Sequence, residues 1–125
     1  MGVVMGLTVL IVDDSRTIRQ QVGITLAKEG FVVLEAEDGE EALAMVKTNP
    51  VNLVISDINM PKMGGFELVD AIRKLDCCKF VPILMLTTEI GVDKLERGKQ
   101  AGASGWLVKP FNPEQLVNAV KKLAR

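Results

Sequence analysis

The run Leu7-Thr8-Val9-Leu10-Ile11-Val12-Asp13-Asp14-Ser15 decides the fold. Its apolar part is continuous rather than alternating, the pattern of a strand buried on both faces of a parallel sheet. The run stops at two acids and a serine. Ser15 is suited to cap a helix, and downstream of it Ile18, Val22 and Leu26 fall on one face over about residues 16–28 before Gly30 ends the stretch. Strand, acidic turn and helix make one βα unit.

Four more apolar runs repeat the pattern, at Phe31 to Ala36, Leu53 to Ser56, Val81 to Leu86 and Trp106 to Val108. A second helix is predicted from Asp38 through Lys47, with Glu40 and Glu41 in the first turn where the helix dipole favours acids, and Asn49-Pro50 closes it. A third follows Gly64-Gly65, buries Phe66, Val69 and Ile72, and ends near Leu75. The fourth, about Val92 to Ala101, has only Val92 and Leu95 as large apolar residues and is expected to be the loosest. Its charged residues Asp93, Lys94, Glu96, Arg97 and Lys99 read most simply as a solvated surface. The fifth carries Asn112 as N-cap, Pro113 at the first helical position and Gln115 to complete a capping box, then buries Leu116, Val120 and Leu123. Five strands alternating with five helices predict an α/β three-layer sandwich with right-handed crossovers, a single domain over residues 1–125.

The composition narrows the partners. Fifteen Lys plus Arg against 16 Asp plus Glu give a net charge of -1, no electrostatic footprint for nucleic acid or anionic lipid. The apolar stretch Val3 to Val12 lacks the basic flank and cleavage site of a signal peptide and is too short for a membrane helix, so no membrane association and a cytoplasmic location are expected. Cys77 and Cys78 are adjacent, a poor geometry for an ordinary disulfide, and are expected as free thiols; without any His in the chain they do not make a metal site.

In open parallel sheets, functional groups collect at the carboxyl ends of the strands. Here those ends carry Asp13 and Asp14, Asp57, Thr87 and Thr88, and Lys109-Pro110. If strands one and three are neighbours, Asp13, Asp14 and Asp57 converge, and like charges so close need either raised pKa values or a cation. An all-oxygen acid cluster without His or Cys suits a hard ion, Mg²⁺ with Mn²⁺ as the second choice. Mg²⁺ shares its shell with phosphate, so the site points to phosphoryl chemistry: Asp57 as nucleophile, Lys109 as the charge that neutralises the transferred group, Thr87 as a hydroxyl donor to a phosphoryl oxygen. No glycine-rich loop is present to cradle a nucleotide, so the phosphoryl donor must come from elsewhere. Taken singly, Asp13-Asp14 could be a helix cap, Asp57 a turn residue, Lys109 a solvated strand end, Thr87 a β-branched strand residue and Trp106 a packing residue; the joint placement is what counts.

The segments Val9-Leu10-Ile11-Val12-Asp13-Asp14-Ser15, Asp57-Ile58-Asn59-Met60-Pro61 with Gly64-Gly65, Leu86-Thr87-Thr88 and Lys109-Pro110-Phe111 together resemble the receiver domain of bacterial response regulators. The resemblance spans essentially the whole chain. That family is itself a standard example of the flavodoxin-like (βα)5 fold with strand order 2-1-3-4-5, so the order is what the resemblance implies. It further implies Asp57 as the phosphoacceptor from a histidine kinase, and Mg²⁺ held by Asp14, Asp57 and the backbone carbonyl of Asn59, with Asp13 acting through a water. Thr87 and the aromatic at position 106 would rearrange on phosphorylation, the Lys109-Pro110 bond would be cis, and the fourth helix, fifth strand and fifth helix would form the output face. Residues 82–89 look most like chemotaxis regulators of CheY type, with Asn59 and Glu89 tuning the loss of the phosphoryl group. The implied partners are a kinase, a downstream protein such as a flagellar motor switch and a phosphatase, with the chain itself a monomer and not an enzyme toward other substrates. Trp106 departs from the usual Tyr or Phe of the switch position.

The alternatives are a receiver in a phosphorelay unrelated to chemotaxis, a small Asp-nucleophile phosphatase of the haloacid dehalogenase type, an interaction module that has lost phosphorylation, and a flavodoxin-like electron carrier. The phosphatase family needs an Asp-x-Asp pair after strand one, whereas Asp13 and Asp14 are adjacent. An acidic first loop would repel a flavin phosphate.

Overall fold

The computed structural model of the chain describes residues 6–88 and 92–124, without the side chains of 92–95. The elements run β1 (Thr8–Val12), α1 (Arg16–Lys28), β2 (Val32–Ala36), α2 (Gly39–Thr48), β3 (Leu53–Asp57), α3 (Gly65–Arg73), β4 (Ile83–Thr87), α4 (Val92–Ala101), β5 (Gly105–Val108) and α5 (Pro113–Leu123). The strands form one sheet in the order β2-β1-β3-β4-β5, parallel at every pairing. The expected α/β architecture and strand order are both met.

Side chains alternate across the sheet and so build two cores. Leu10, Val12, Val54, Ile83 and Met85 face α2 and α3, where Ala42, Val46, Leu68, Val69 and Ile72 close over them. Val9, Ile11, Leu53, Ile55, Leu84 and Leu86 face the other way, against Val22 and Leu26 of α1 and Leu116 and Val120 of α5. Burial on both faces explains why β1, β3 and β4 read as unbroken apolar runs. The two edge strands differ from that expectation: β2 is half open, with Val32 49% exposed, and no residue of β5 is fully buried.

The caps follow the sequence. Ser15 accepts from the Ile18 N–H, Asp38 from the Glu41 N–H, and Asn112 forms the full capping box with Gln115. The third helix ends at Arg73 rather than near Leu75, because the Lys74 and Leu75 N–H groups turn back onto Ala71 and Ile72. Phe66 is only partly buried; Leu68, which the spacing argument passed over, is the buried residue of that turn. The side chains of Val92 and Leu95, on which the looseness of α4 was argued, lie outside the described residues.

The cysteines require a correction. Cys77 and Cys78 are bonded to each other rather than free. In a strand their side chains would diverge, but they lie in the turn after α3, and both sulfurs face the Val46 carbonyl of α2, at 3.8 and 3.6 Å.

Candidate functional site

Register assembles the site. Val12 pairs with Ser56 across β1 and β3, so the next residues, Asp13 and Asp57, leave the sheet side by side. Asp57 pairs with Leu86, and Thr87 pairs with Val108, which places Thr87 and Lys109 one step further along the same carboxyl edge. The Lys109 N–H donates to the Thr87 carbonyl at 2.7 Å, and the Lys109-Pro110 bond that follows is cis, as the resemblance implied.

One ligand atom from each of Asp13, Asp14 and Asp57 lies within 4.8 Å of the other two. Their environments differ. Asp13 is 1% exposed; its carboxylate accepts from the Ser15 N–H at 2.9 Å and from Lys109 Nζ at 3.1 Å. Asp14 is open to solvent. Asp57 sits between, with Oδ1 accepting from the Ile58 N–H at 2.9 Å and lying 3.5 Å from Lys109 Nζ. Burial pushes the Asp57 carboxyl above the usual carboxylate range; Lys109 and the Ile58 N–H pull against that, and the neighbouring Asp13 charge adds to it. One lysine thus serves a buried acid, Asp13, and a partly buried one, Asp57.

The donor set fits a hard divalent cation. Adjacent oxygens on one octahedral Mg²⁺ lie about 3 Å apart and opposite ones about 4.2 Å, so acid oxygens within 4.8 Å of one another would need to close by at most about 2 Å to share one ion. Asn59, two residues past Asp57, is exposed at the start of the β3–α3 loop. Thr87 is 3% exposed at the end of β4. Glu89 lies outside the described residues.

Trp106 is further back, opposite Met85 on β5. Its indole leans on the Phe66 ring with centroids 6.1 Å apart and fills the space left by Gly98 of α4, where an added Cβ would collide with the six-membered ring. Arg97 stands 5.4 Å over the Phe66 ring and pairs with Asp70 at 2.9 Å. Arg97 is therefore not merely a solvated charge. Asp13, Asp14, Asp57, Thr87 and Lys109 lie together at the carboxyl edge, as expected from their strand-end positions, and Trp106 lies outside their immediate cluster.

Several supporting residues were not foreseen. Arg19 of α1 donates to the Asp13 carbonyl at 2.7 Å and pairs with Glu35 of β2 at 3.0 Å, bracing the acidic turn. Gly65 lets α3 press on the Asp57 carbonyl, where a Cβ would overlap it. Asp38 is 6% exposed, and the Glu41 N–H holds its carboxyl below the usual range against the effect of burial; Lys62 adds to the lowering from 3.6 Å. The strand-end rule applied to β2 would have found Asp38, which had been read only as a helix opening.

Fold and site together define a class: a doubly wound α/β domain with an acidic trio and a single lysine at the β1/β3 switch point. The chain belongs to the response regulator receiver domain family, which matches residues 9–121. It is 37% identical over 116 residues to the chemotaxis protein CheY of Pseudomonas aeruginosa, spanning 92% of this chain and 94% of that one. Protein PilG of the same organism is 35% identical over 116 residues, 93% of this chain and 86% of its own. Among solved structures, the chemotaxis protein CheY4 of Vibrio cholerae superposes with a TM-score of 0.92 at 51% identity, covering 94% of this chain and 98% of that one. The family is thus the receiver, CheY-like and matched by relatives of similar length, and not the Asp-nucleophile phosphatase. Receiver domains are phosphoacceptor signalling domains that bind Mg²⁺ at an acidic pocket, and this chain has an acidic cluster of Asp13, Asp14 and Asp57. No helix among the described residues is long and apolar enough to cross a membrane.

Proposed function

We propose that this chain is a cytoplasmic phosphoacceptor that takes a phosphoryl group from a histidine kinase onto Asp57 and signals through changed protein binding, in chemotaxis or motor control. The observation that carries the reading is the convergence of Asp13, Asp14 and Asp57 at the switch point, with Lys109 paired to Asp13 and Asp57. In the transfer, a carboxylate oxygen of Asp57 attacks phosphorus, the P–N bond of the phosphohistidine breaks, and its electron pair returns to the imidazole. Lys109 stabilises charge on the transferred oxygens, and the Thr87 hydroxyl donates to one of them. Asp14, Asp57 and the Asn59 carbonyl, supported by Asp13, would hold Mg²⁺, which would supply charge neutralisation on the phosphoryl group. Asn59, and Glu89 beyond the described residues, tune hydrolysis of the acyl phosphate; Thr87 and Trp106 carry the change to the output face.

Incubation with acetyl phosphate, with and without Mg²⁺, followed by intact mass and peptide mapping, tests the core of this. An acid-labile, Mg²⁺-dependent adduct on Asp57 that Asp57→Asn abolishes is expected. A folded protein that takes no adduct would turn the reading to a phosphorylation-independent interaction module. Binding to an isolated motor-switch protein before and after modification separates the chemotaxis role from another phosphorelay.

A further inference from the structure

The loop between β3 and α3 is fastened at three places. At its base the Gly65 N–H donates to the Ile58 carbonyl at 2.7 Å. At its tip the Met63 N–H donates to the Pro61 carbonyl at 2.8 Å, spanning Lys62 at φ 68°, a tight three-residue turn in a region that side-chain-bearing residues rarely adopt. Such a conformation persists only where its surroundings impose it. The third fastening imposes it from outside: the Gly39 N–H at the start of α2 donates to the Met63 carbonyl at 3.2 Å, and Asp38 beside it pairs with Lys62.

Gly39 is not glycine for the sake of its backbone angle, since it is absent from the positive-φ glycines Gly6, Gly30 and Gly102. Space selects it. A Cβ at position 39 would lie 2.5 Å from the Met63 carbonyl oxygen and 2.7 Å from Met63 Cβ, atoms that cannot move without moving the loop. The Asp38 pair is the weaker half of the fastening, because Lys62 is 62% exposed.

We propose that the start of α2 is a positioning clamp for the phosphorylation loop: Gly39, seconded by Asp38 and Lys62, holds residues 58–64 in place and thereby sets the affinity of the acidic site for a divalent cation. The proposal rests on the phosphoacceptor reading, because Asn59, whose carbonyl would complete the cation's shell, rides on that loop. Gly39, Asp38 and Lys62 are positioning residues; none belongs to the acidic trio.

The test is Mg²⁺ titration of the full chain by amide chemical shifts, comparing wild type, Gly39→Ala, Lys62→Gly and a destabilised control, Leu26→Ala, in the opposite core. Supporting partners of a metal site typically change its affinity by about 10- to 100-fold. Gly39→Ala is expected to raise the Mg²⁺ dissociation constant by roughly tenfold or more on that basis. Lys62→Gly relieves the tip yet removes its tether, so it should weaken Mg²⁺ binding severalfold without lowering stability, a split that a merely structural role would not give. Leu26→Ala should lose stability and keep its affinity. If Gly39→Ala fails to fold, Lys62→Gly decides alone. Wild-type affinity in the folded clamp variants, or an equal loss in Leu26→Ala, overturns the clamp; a wild type that binds no Mg²⁺ overturns the phosphoacceptor reading and the clamp with it.

Discussion

Replacing Lys109 by methionine should expose how the site balances its charge. The ammonium lies 3.1 Å from Asp13 and 3.5 Å from Asp57, and the lysine side chain is 17% exposed. At an effective dielectric near 20 each contact corresponds to about 5 kcal/mol of Coulomb attraction, and the ammonium's own desolvation offsets several kcal/mol of the total. Removing one partner of such a buried arrangement costs roughly 3–5 kcal/mol, because the acids left behind repel each other and are poorly hydrated. With a urea slope of about 2 kcal/mol/M, the unfolding midpoint of Lys109→Met should fall by roughly 2 M at neutral pH without metal. The ammonium also occupies the charge a cation would supply, so the variant should bind Mg²⁺ more tightly. Each tenfold gain narrows the stability gap to wild type by about 1.4 kcal/mol at a fixed, saturating Mg²⁺ concentration. Urea unfolding of both proteins, with and without Mg²⁺, reads both effects. A loss below about 1 kcal/mol, or a gap that Mg²⁺ leaves unchanged, would refute the view that Lys109 is the counter-charge of this cluster.

Asp57→Asn removes a carboxyl whose folded-state pKa is raised, chiefly by burial. The folded protein then holds that proton more tightly than the unfolded chain, so wild-type stability falls as pH climbs from the unfolded value of 3.8 through the folded one. The variant should therefore be the more stable at pH 7, with the difference closing toward acid; paired unfolding curves across that window check the sign. Leu10→Ala, at a fully buried position of β1, should cost about 2–5 kcal/mol in equilibrium unfolding, since a central strand cannot collapse into the cavity. Gly98→Ala should push the indole of Trp106, the chain's single tryptophan, off its seat against α4, shifting its fluorescence maximum while far-UV dichroism stays native.

What could be read from the sequence was what repeats or converges. Unbroken apolar runs gave the inner strands β1, β3 and β4, and the Ser15, Asp38 and Asn112 caps placed three helix starts, because caps and buried strands are set by local chemistry. The acidic edge followed from strand ends alone. Sequence was silent where another part of the chain packs directly on a glycine. Gly39 against Met63, Gly65 against Asp57 and Gly98 against Trp106 are each a glycine chosen for an absent Cβ, and nothing local to a glycine says which chain lies over it. The half-open face of β2 was misjudged for a related reason: an edge position is a property of strand order, not of composition. The cysteine pair failed because residues 74–80 form a turn, where adjacent side chains need not diverge.

The departures from good local chemistry cluster at one edge of the sheet. Away from it the inner strands β1, β3 and β4 pack apolar side chains on both faces, and among the described residues no buried side-chain polar atom lacks a partner. At the carboxyl edge three carboxylates crowd together and two of them share one lysine, Lys62 takes a left-handed backbone, and Gly39 and Gly65 give up side chains for close approach. Rules broken together in one place mark function. A phosphoryl group on Asp57 would add negative charge beside Lys109, whose backbone N–H is bonded to the Thr87 carbonyl. A shift of the Lys109 backbone toward the new charge would be shared through that bond between the ends of β4 and β5, and β5 is the strand that carries Trp106. On the proposed reading the coupling would need no long pathway: Lys109 and Trp106, whose indole packs on Gly98 of α4, are three positions apart on one short strand and its exit.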